Sequence, residues 1–404
     1  MNFICFRLNS VTCKIMNKTK VSLLVVLLLF FISLSGIAQE LHITHGPYIQ
    51  ALGENEVTVV WTTDSNAVSW VEVAPAGDDS FYASERPKYY ETSNGNRIVG
   101  KLHKIKILDL KKGTEYRYRI FSQAVLSYEG HRVLYGNIAS SNVYSKKPLR
   151  FCTLDDDKKS ISFLMLNDIH SRVDDLKNLS QKVKYGTTDL VFFNGDMVSS
   201  MNDETQFFSG FMDESVNMFA GEVPVYFCRG NHETRGKFSV AFPEYYPTNT
   251  GKLYYSFRQG PVFFIVLDGG EDKPDSDIEY SGLAQFDAYR TEQQKWLKEV
   301  VQSEAFTTAR HKVVLIHIPP VGSSWHGPAD IRNKFLPVLN GQGITAMLCG
   351  HLHRYEYVKP EPEVHDFPII INAHNTSLEV EAGLDNFTVI QKSTGGEALQ
   401  KLTF

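Results

Sequence analysis

Between residues 161 and 353, five short apolar runs each end in a polar cluster. ISFLML is followed by Asn167, Asp168, Ile169 and His170, and DLVFF by Asn194, Gly195 and Asp196. VPVYFC leads into Arg229, Gly230, Asn231, His232 and Glu233, KVVLI leads to His317, and ITAMLC ends in Gly350, His351, Leu352 and His353. Between them lie helical patterns such as RVDDLKNLSQKV, in which Val173, Leu176, Leu179 and Val183 recur before Gly186, and EQQKWLKEVV. Strands alternating with helices predict an α/β unit, and in such sheets the carboxyl ends of the strands collect on one edge, where ligands bind. The five clusters are therefore expected to converge. Residues two apart on an extended chain point the same way, so Asp168 with His170, and His351 with His353, are each expected to grip one site. Carboxylate, imidazole and amide oxygen, with no thiolate nearby, suit manganese, iron or zinc and argue against a structural zinc.

Upstream the pattern has period two. VTVVWTTD (57–64), SWVEVA (69–74), KLHKIKIL (101–108) and EYRYRIF (115–121) read as strands of an all-β sandwich. In the last of them Tyr116, Tyr118 and Ile120 share one face and Arg117 and Arg119 the other. LDLKKGTEY resembles the corner of fibronectin type III and immunoglobulin-like sandwiches, with Tyr116 closing the turn. The polar break DDDKK at 155–159 separates the two patterns. The expected division is 40–156 for the sandwich and 160–404 for the α/β unit.

The first 38 residues differ again. VSLLVVLLLFFISLSGIA (21–38) follows Lys14, Lys18 and Lys20, and small residues precede Gln39. This is the pattern of a signal peptide over 1–38, predicting export to the periplasm or the exterior and no stable membrane association once cleaved. An uncleaved anchor is the alternative, and MNKTK at Met16 offers a second start. The net charge of -5 gives no footprint for nucleic acid. Downstream of the apolar run only Cys152, Cys228 and Cys349 remain, each in an apolar run, and they read as buried free thiols.

Taken in order, D-x-H, G-D, G-N-H-E, H and G-H-x-H resemble the calcineurin-like metallophosphoesterase family over about 160–375. The resemblance implies a four-layer αββα sandwich and two divalent or trivalent metal ions. Residues matching Asp168, His170 and His353 would hold one, those matching Asn231, His317 and His351 the other, and Asp196 would bridge them. A metal-bridging hydroxide would attack a small phosphorylated substrate in line, and His232 would protonate the leaving oxygen. The sandwich, KLYYSFRQGPVFFIVLD and HIPP are similar to the purple acid phosphatase branch. Ser199, where that branch has tyrosine, and His170 depart from it; in protein serine/threonine phosphatases the Ser199 position is an aspartate orienting the acid histidine. Phosphomonoester hydrolysis is the expected activity. Phosphodiester hydrolysis by the same centre is an alternative, and a surface binding protein with an inactive domain is another, against which all seven ligand positions stand filled. The long loops 234–252, 269–290 and 321–330 are candidates for substrate contact, with Trp325 and His326 as substrate-binding candidates beside Tyr245 and Tyr246.

Overall fold

A computed structural model describes residues 40–141 and 145–404; the apolar run, its cleavage point, Cys5 and Cys13 lie outside these residues. The N-terminal unit comprises β1 (Ile43–Gln50), β2 (Val57–Pro75), β3 (Lys88–Tyr90), the small β4–β5 hairpin (Thr92–Ser93 and Asn96–Arg97), β6 (Gly100–Ile107), β7 (Glu115–Glu129), β8 (Arg132–Ser140) and β9 (Leu149–Cys152). The runs at 57–64 and 69–74, expected as separate strands, are the two halves of β2. The first half pairs with β1 and β6, the second with β3 and β7, and the register shifts between Thr62 and Ala67. Val57, Val59 and Trp61 from the first half and Val71 and Val73 from the second enter one core with Ile105, Ile107, Tyr118, Ile120 and Phe151. Arg117 and Arg119 do not face solvent as their alternation suggests. Arg117 is covered by the segment after β2, donating to the Pro75 carbonyl (2.9 Å) and to Asp79 Oδ1 (2.7 Å). At the corner before β7 the Lys111 amide donates to the Tyr116 hydroxyl at 2.9 Å.

Two six-stranded sheets follow. The first has the order β12-β11-β10-β19-β20-β21, the second β13-β14-β15-β16-β18-β17. Their strands are β10 (Ile161–Leu166), β11 (Leu190–Asn194), β12 (Val225–Cys228), β13 (Tyr255–Gln259), β14 (Val262–Val266), β15 (His311–Leu315), β16 (Ala346–Cys349), β17 (Glu356–Val358), β18 (Ile369–Ile371), β19 (Thr376–Ala382), β20 (Phe387–Ser393) and β21 (Ala398–Thr403). β10, β11 and β12 run parallel, as do β14, β15, β16 and β18. Parallel strands covered on both faces read as unbroken apolar runs, which is why these segments carry no alternation in sequence. Alternate residues nevertheless part company: Phe163 and Met165 of β10 meet Phe264 and Val266 of β14 in one cluster. Leu164 and Leu166 pack instead with Leu176 and Leu179 of α1 (Val173–Ser180) and with Phe207 and Phe211. Phe263 and Ile265 pack with Leu297 of α2 (Phe286–Val300) and Phe335 of α3 (His326–Leu339).

The N-terminal unit sits on this body through tyrosine hydroxyls: Tyr48 donates to the Tyr245 carbonyl (2.7 Å), Tyr118 to Gly221 (2.5 Å), and Tyr226 to Leu52 (3.2 Å). Cys228 and Cys349 are buried free thiols, whereas Cys152, at the end of β9, is exposed. Among the described residues no helix is long and apolar enough to cross a membrane.

Candidate metal centre

The parallel strands β10, β11, β12, β15 and β16 deliver their carboxyl ends to one edge, and the polar clusters meet there. Ligand-type atoms of Asp168, His170 and His353 lie within 4.8 Å of one another, as do those of Asp196, His317 and His351, and those of His170, Asp196 and His232. Nε2 of His353 is 3.1 Å from Asp168 Oδ1, and Nε2 of His317 is 3.0 Å from Asp196 Oδ2. His351 Nδ1 lies 3.0 Å from Asn231 Oδ1.

The route to this geometry is not the extended chain expected from the spacing. Asp168, His170, Ser171, Asp196, His351 and His353 have φ of 53°, 47°, 60°, 55°, 71° and 54°. Left-handed backbone at a non-glycine residue costs of order 1–3 kcal/mol and persists only where its surroundings enforce it. Here the enforcing contacts are explicit: the amides of Asp168, His170 and Ser171 donate to the carbonyls of Gly195 (2.9 Å), Asp196 (2.9 Å) and Met197 (2.8 Å). The turn also separates the two histidines of G-H-x-H, so that His353 joins Asp168 and His170 while His351 joins Asp196 and His317. Gly195 (φ 83°) is required both by its torsion and by space, because a Cβ there would be driven into the His317 ring and the Gly230 backbone. Gly230 has no positive φ; a Cβ on it would collide with Asp196 itself.

Charge and protonation fit a cation. Asp168 and Asp196 are buried at 0% and 1% exposure. Burial, the largest single influence, would push their carboxyls up, but the His317 charge acts together with contacts from His353 and Asn167 on Asp168 and from His317 and His232 on Asp196, and the sum holds both below the usual carboxylate range. Burial opposes a charge on His317, yet Asp196 and Asp168 push it up to about 10. The carboxylates therefore demand a positive charge at this point. Burial pushes His351 down to about 4, which keeps it in the neutral form a metal ligand needs. Asp168 Oδ1 and His317 Nε2 are buried and, apart from the ion-pair contacts to His353 and Asp196 given above, have no hydrogen-bond partner, as expected of atoms that face a bound ion or water. The donor set of imidazoles, carboxylates and one amide suits zinc, iron or manganese. The thiols stay out of it; Cys228 donates to the Leu267 carbonyl at 3.1 Å.

A surrounding set of hydrogen bonds fixes these donors. His317 Nδ1–H donates to the Asn194 carbonyl (2.7 Å), leaving Nε2 for the site. Asn167 donates to Asp168 Oδ2 (2.7 Å), and Asn372 donates to Asn167 (2.7 Å). Glu233, fully buried, accepts from the amides of Asp196 (2.9 Å), Met197 (2.7 Å) and Gly230 (3.0 Å), and burial pushes its carboxyl up to about 7. His232 lies beside the group with Nε2 3.8 Å from Asp196 Oδ2, and its Nδ1–H donates to the Ser199 carbonyl at 2.9 Å.

Of the loop candidates, Trp325 is exposed and His326 Nε2 is 2.8 Å from Asp287 Oδ1. Tyr246 is buried, and the Tyr245 hydroxyl donates to Glu204. Sequence reasoning missed Arg235, Glu271 and Asp272, which the loops at 234–252 and 269–290 carry to the rim of the site. Asp272 Oδ2 lies 3.8 Å from His351 Nε2, and Glu271 grips Arg235 at 2.8 Å. His374, whose spacing gave no reason to read it as a ligand, stands outside the ligand groups, and its Nδ1–H donates to the His353 carbonyl at 3.2 Å. The only sequence signal for the missed residues was the glycine pair of GGED, which precedes Glu271 and Asp272.

Comparison with known proteins gives consistent similarities. Residues 161–355 match the family model for calcineurin-like phosphoesterases. Human tartrate-resistant acid phosphatase type 5 is 30% identical over 195 residues, which cover 43% of this chain and 55% of that protein. A mouse serine/threonine-protein phosphatase is 26% identical over 140 residues, covering 33% of this chain and 42% of that protein. The chain thus spans about half the length of the curated relatives it matches. A purple acid phosphatase from yellow lupin seeds superposes with a TM-score of 0.64 at 15% identity, over 88% of this chain and 73% of that structure, which establishes likeness of fold. Residues 161–355 thus resemble the calcineurin-like phosphoesterases, set behind a β-rich N-terminal region in a fold like that of a purple acid phosphatase.

Proposed function

We propose that this chain is an exported, dinuclear metal-dependent phosphoesterase that hydrolyses small phosphomonoesters. The observation that carries the reading is the meeting of two ligand groupings, one of Asp168, His170 and His353 and one of Asp196, His317 and His351, around buried atoms that touch one another but make no hydrogen bond. Asp168, His170 and His353 would hold one metal ion and Asn231, His317 and His351 the other, with Asp196 between them. When bound, such a pair supplies Lewis acidity that activates water and neutralises phosphate charge. The protein's part is to hold its carboxylates charged and His351 neutral, to orient His317 through Asn194, and to present His232 Nε2 at the edge of the site. A protonated His232 transfers its Nε2 proton to the departing alkoxide while Nδ1–H stays on the Ser199 carbonyl.

The relatives named above are phosphatases, which supports monoesters as substrates; the same centre would also serve a phosphodiesterase. Export rests on the basic and apolar segments before Gln39. Mature protein isolated from its source should begin near Gln39 by mass spectrometry; an intact N-terminus in a membrane fraction would establish the anchor instead. The decisive experiment on activity is a hydrolysis screen of aryl and alkyl phosphate mono- and diesters with added zinc, manganese or iron. Hydrolysis of monoesters that stops on chelation is expected, and absence of hydrolysis with every metal would sink the reading.

A further inference from the structure

We infer that Arg235 is a substrate-binding residue: the guanidinium nitrogen outside its carboxylate fork contacts the phosphoryl oxygen that only a monoester dianion leaves unesterified, so the site favours monoesters over diesters. The inference rests on the phosphoesterase reading above and deepens it.

Its starting point is how fully the arginine is held. Nε donates to Glu271 Oε1 at 2.8 Å and Nη2 to Oε2 at 3.1 Å, the bidentate fork that matches a carboxylate plane to plane. Glu271 is fully buried and also accepts from the Thr234 hydroxyl (2.8 Å) and the Tyr280 hydroxyl (3.1 Å), so it cannot swing away. The guanidinium plane is thereby fixed, and one nitrogen, Nη1, is left over. It donates to His232 Nε2 at 3.4 Å, the atom assigned above to the leaving oxygen, so a substrate oxygen arriving there can take over this donor. An arginine kept only for an ion pair would spend its remaining donors on backbone carbonyls or bulk water. This one holds Nη1 against His232 instead, and its side chain is 36% exposed, so an incoming ester can reach it.

The chemistry of the two ester classes then diverges. Both present two non-bridging oxygens, but the monoester dianion has a third anionic oxygen where the diester carries a second carbon substituent. A planar, permanently charged donor at that position gains a charge-assisted hydrogen bond from the first and meets an alkyl or aryl group in the second. A lysine would supply charge without the fixed fork.

The test compares wild type, Arg235→Gln and Arg235→Lys on 4-nitrophenyl phosphate and bis(4-nitrophenyl) phosphate, with metal content measured on the same samples. Arg235→Gln should lower kcat/KM for the monoester roughly 10- to 100-fold, as expected for a lost charged hydrogen bond, and for the diester about threefold or less. Arg235→Lys should recover part of the monoester loss, with metal content unchanged throughout. Because the glutamine variant strands the buried Glu271, the double variant Arg235→Gln/Glu271→Gln serves where the single one fails to fold, with the same discrimination expected. Equal losses on both esters, or none on either, would overturn the inference. Should wild type hydrolyse no ester, the phosphoesterase reading falls by itself, and titration of the metal-loaded proteins with inorganic phosphate still judges the arginine. Binding weakened about tenfold in Arg235→Gln supports it, and unchanged affinity removes it.

Discussion

His232 donates its Nδ1 proton to a main-chain carbonyl, that of Ser199, at 2.9 Å. The sequence shows a serine where some relatives of the resembling family carry an orienting carboxylate, which leaves the partner of His232 open; a backbone atom filled the gap, and no side-chain identity at 199 announces that. Ser199→Ala should therefore keep hydrolysis of every ester within about twofold of wild type, since the carbonyl survives the change. His232→Ala should behave differently. General acid catalysis is worth ~10² to 10⁴-fold where the leaving oxygen is basic and little where it is not. Turnover of an alkyl phosphate should fall by that order while an aryl phosphate loses about tenfold or less, at unchanged metal content. A large loss in Ser199→Ala, or equal losses on both esters in His232→Ala, would end the proton-donor assignment. The ligand roles have their own check: Asp196→Asn should lower occupancy of both metal ions, whereas His317→Ala should empty mainly the Asn231 side, as read by elemental analysis.

At the scale of elements, the polar ends of β10, β11, β12, β15 and β16 were readable because a parallel strand buried on both faces leaves a clean apolar run. The turns after them were not readable. Whether His351 and His353 share one site or divide between two depends on torsions of 71° and 54°, and those are imposed by contacts from chain segments far away in sequence. The Arg235–Glu271 fork joins residues 36 positions apart and leaves no periodic trace. In the N-terminal unit the two halves of β2 looked like separate strands because the register shift near Thr62–Ala67 interrupts the alternation. That pairing buries His103 of β6 against Trp61, with Nε2 2.9 Å from the Thr63 hydroxyl, and burial pushes it down to about 4 from 6.5. A depressed histidine is neutral in the fold, so the unfolded chain binds the extra proton. Its stabilising contribution is complete above pH 6.5 and is lost as pH falls toward about 4. Over that window the wild type should lose of order 3 kcal/mol more stability than His103→Gln, which hydrogen-bonds without titrating. Parallel pH profiles of urea unfolding for the two proteins would contradict this.

Across the whole molecule, one apolar cluster runs from Trp61 and Tyr118 of the N-terminal unit through Phe163 and Phe192 to Phe264 and Val313 of the second sheet. The hydroxyls of Tyr48, Tyr118 and Tyr226 cross the same boundary. With this core shared between the two parts, the N-terminal unit is expected to unfold together with the body that carries the candidate metal centre. A metal ion that binds only the folded centre stabilises by RT ln(1 + [L]/Kd), about 2.7 kcal/mol at a hundredfold excess over Kd. That gain should reach residues far from Asp196. Trp61 and Trp70 lie in the N-terminal unit and Trp296 and Trp325 in the other, so Trp296→Phe/Trp325→Phe leaves tryptophan fluorescence reporting the N-terminal unit alone. Adding zinc or manganese to the stripped double variant should raise the melting temperature of that signal by several degrees, and in step with circular dichroism of the whole chain. Asp196→Asn in the same background should abolish the shift. A fluorescence transition that ignores the metal while circular dichroism follows it would show that the shared core does not couple the two units.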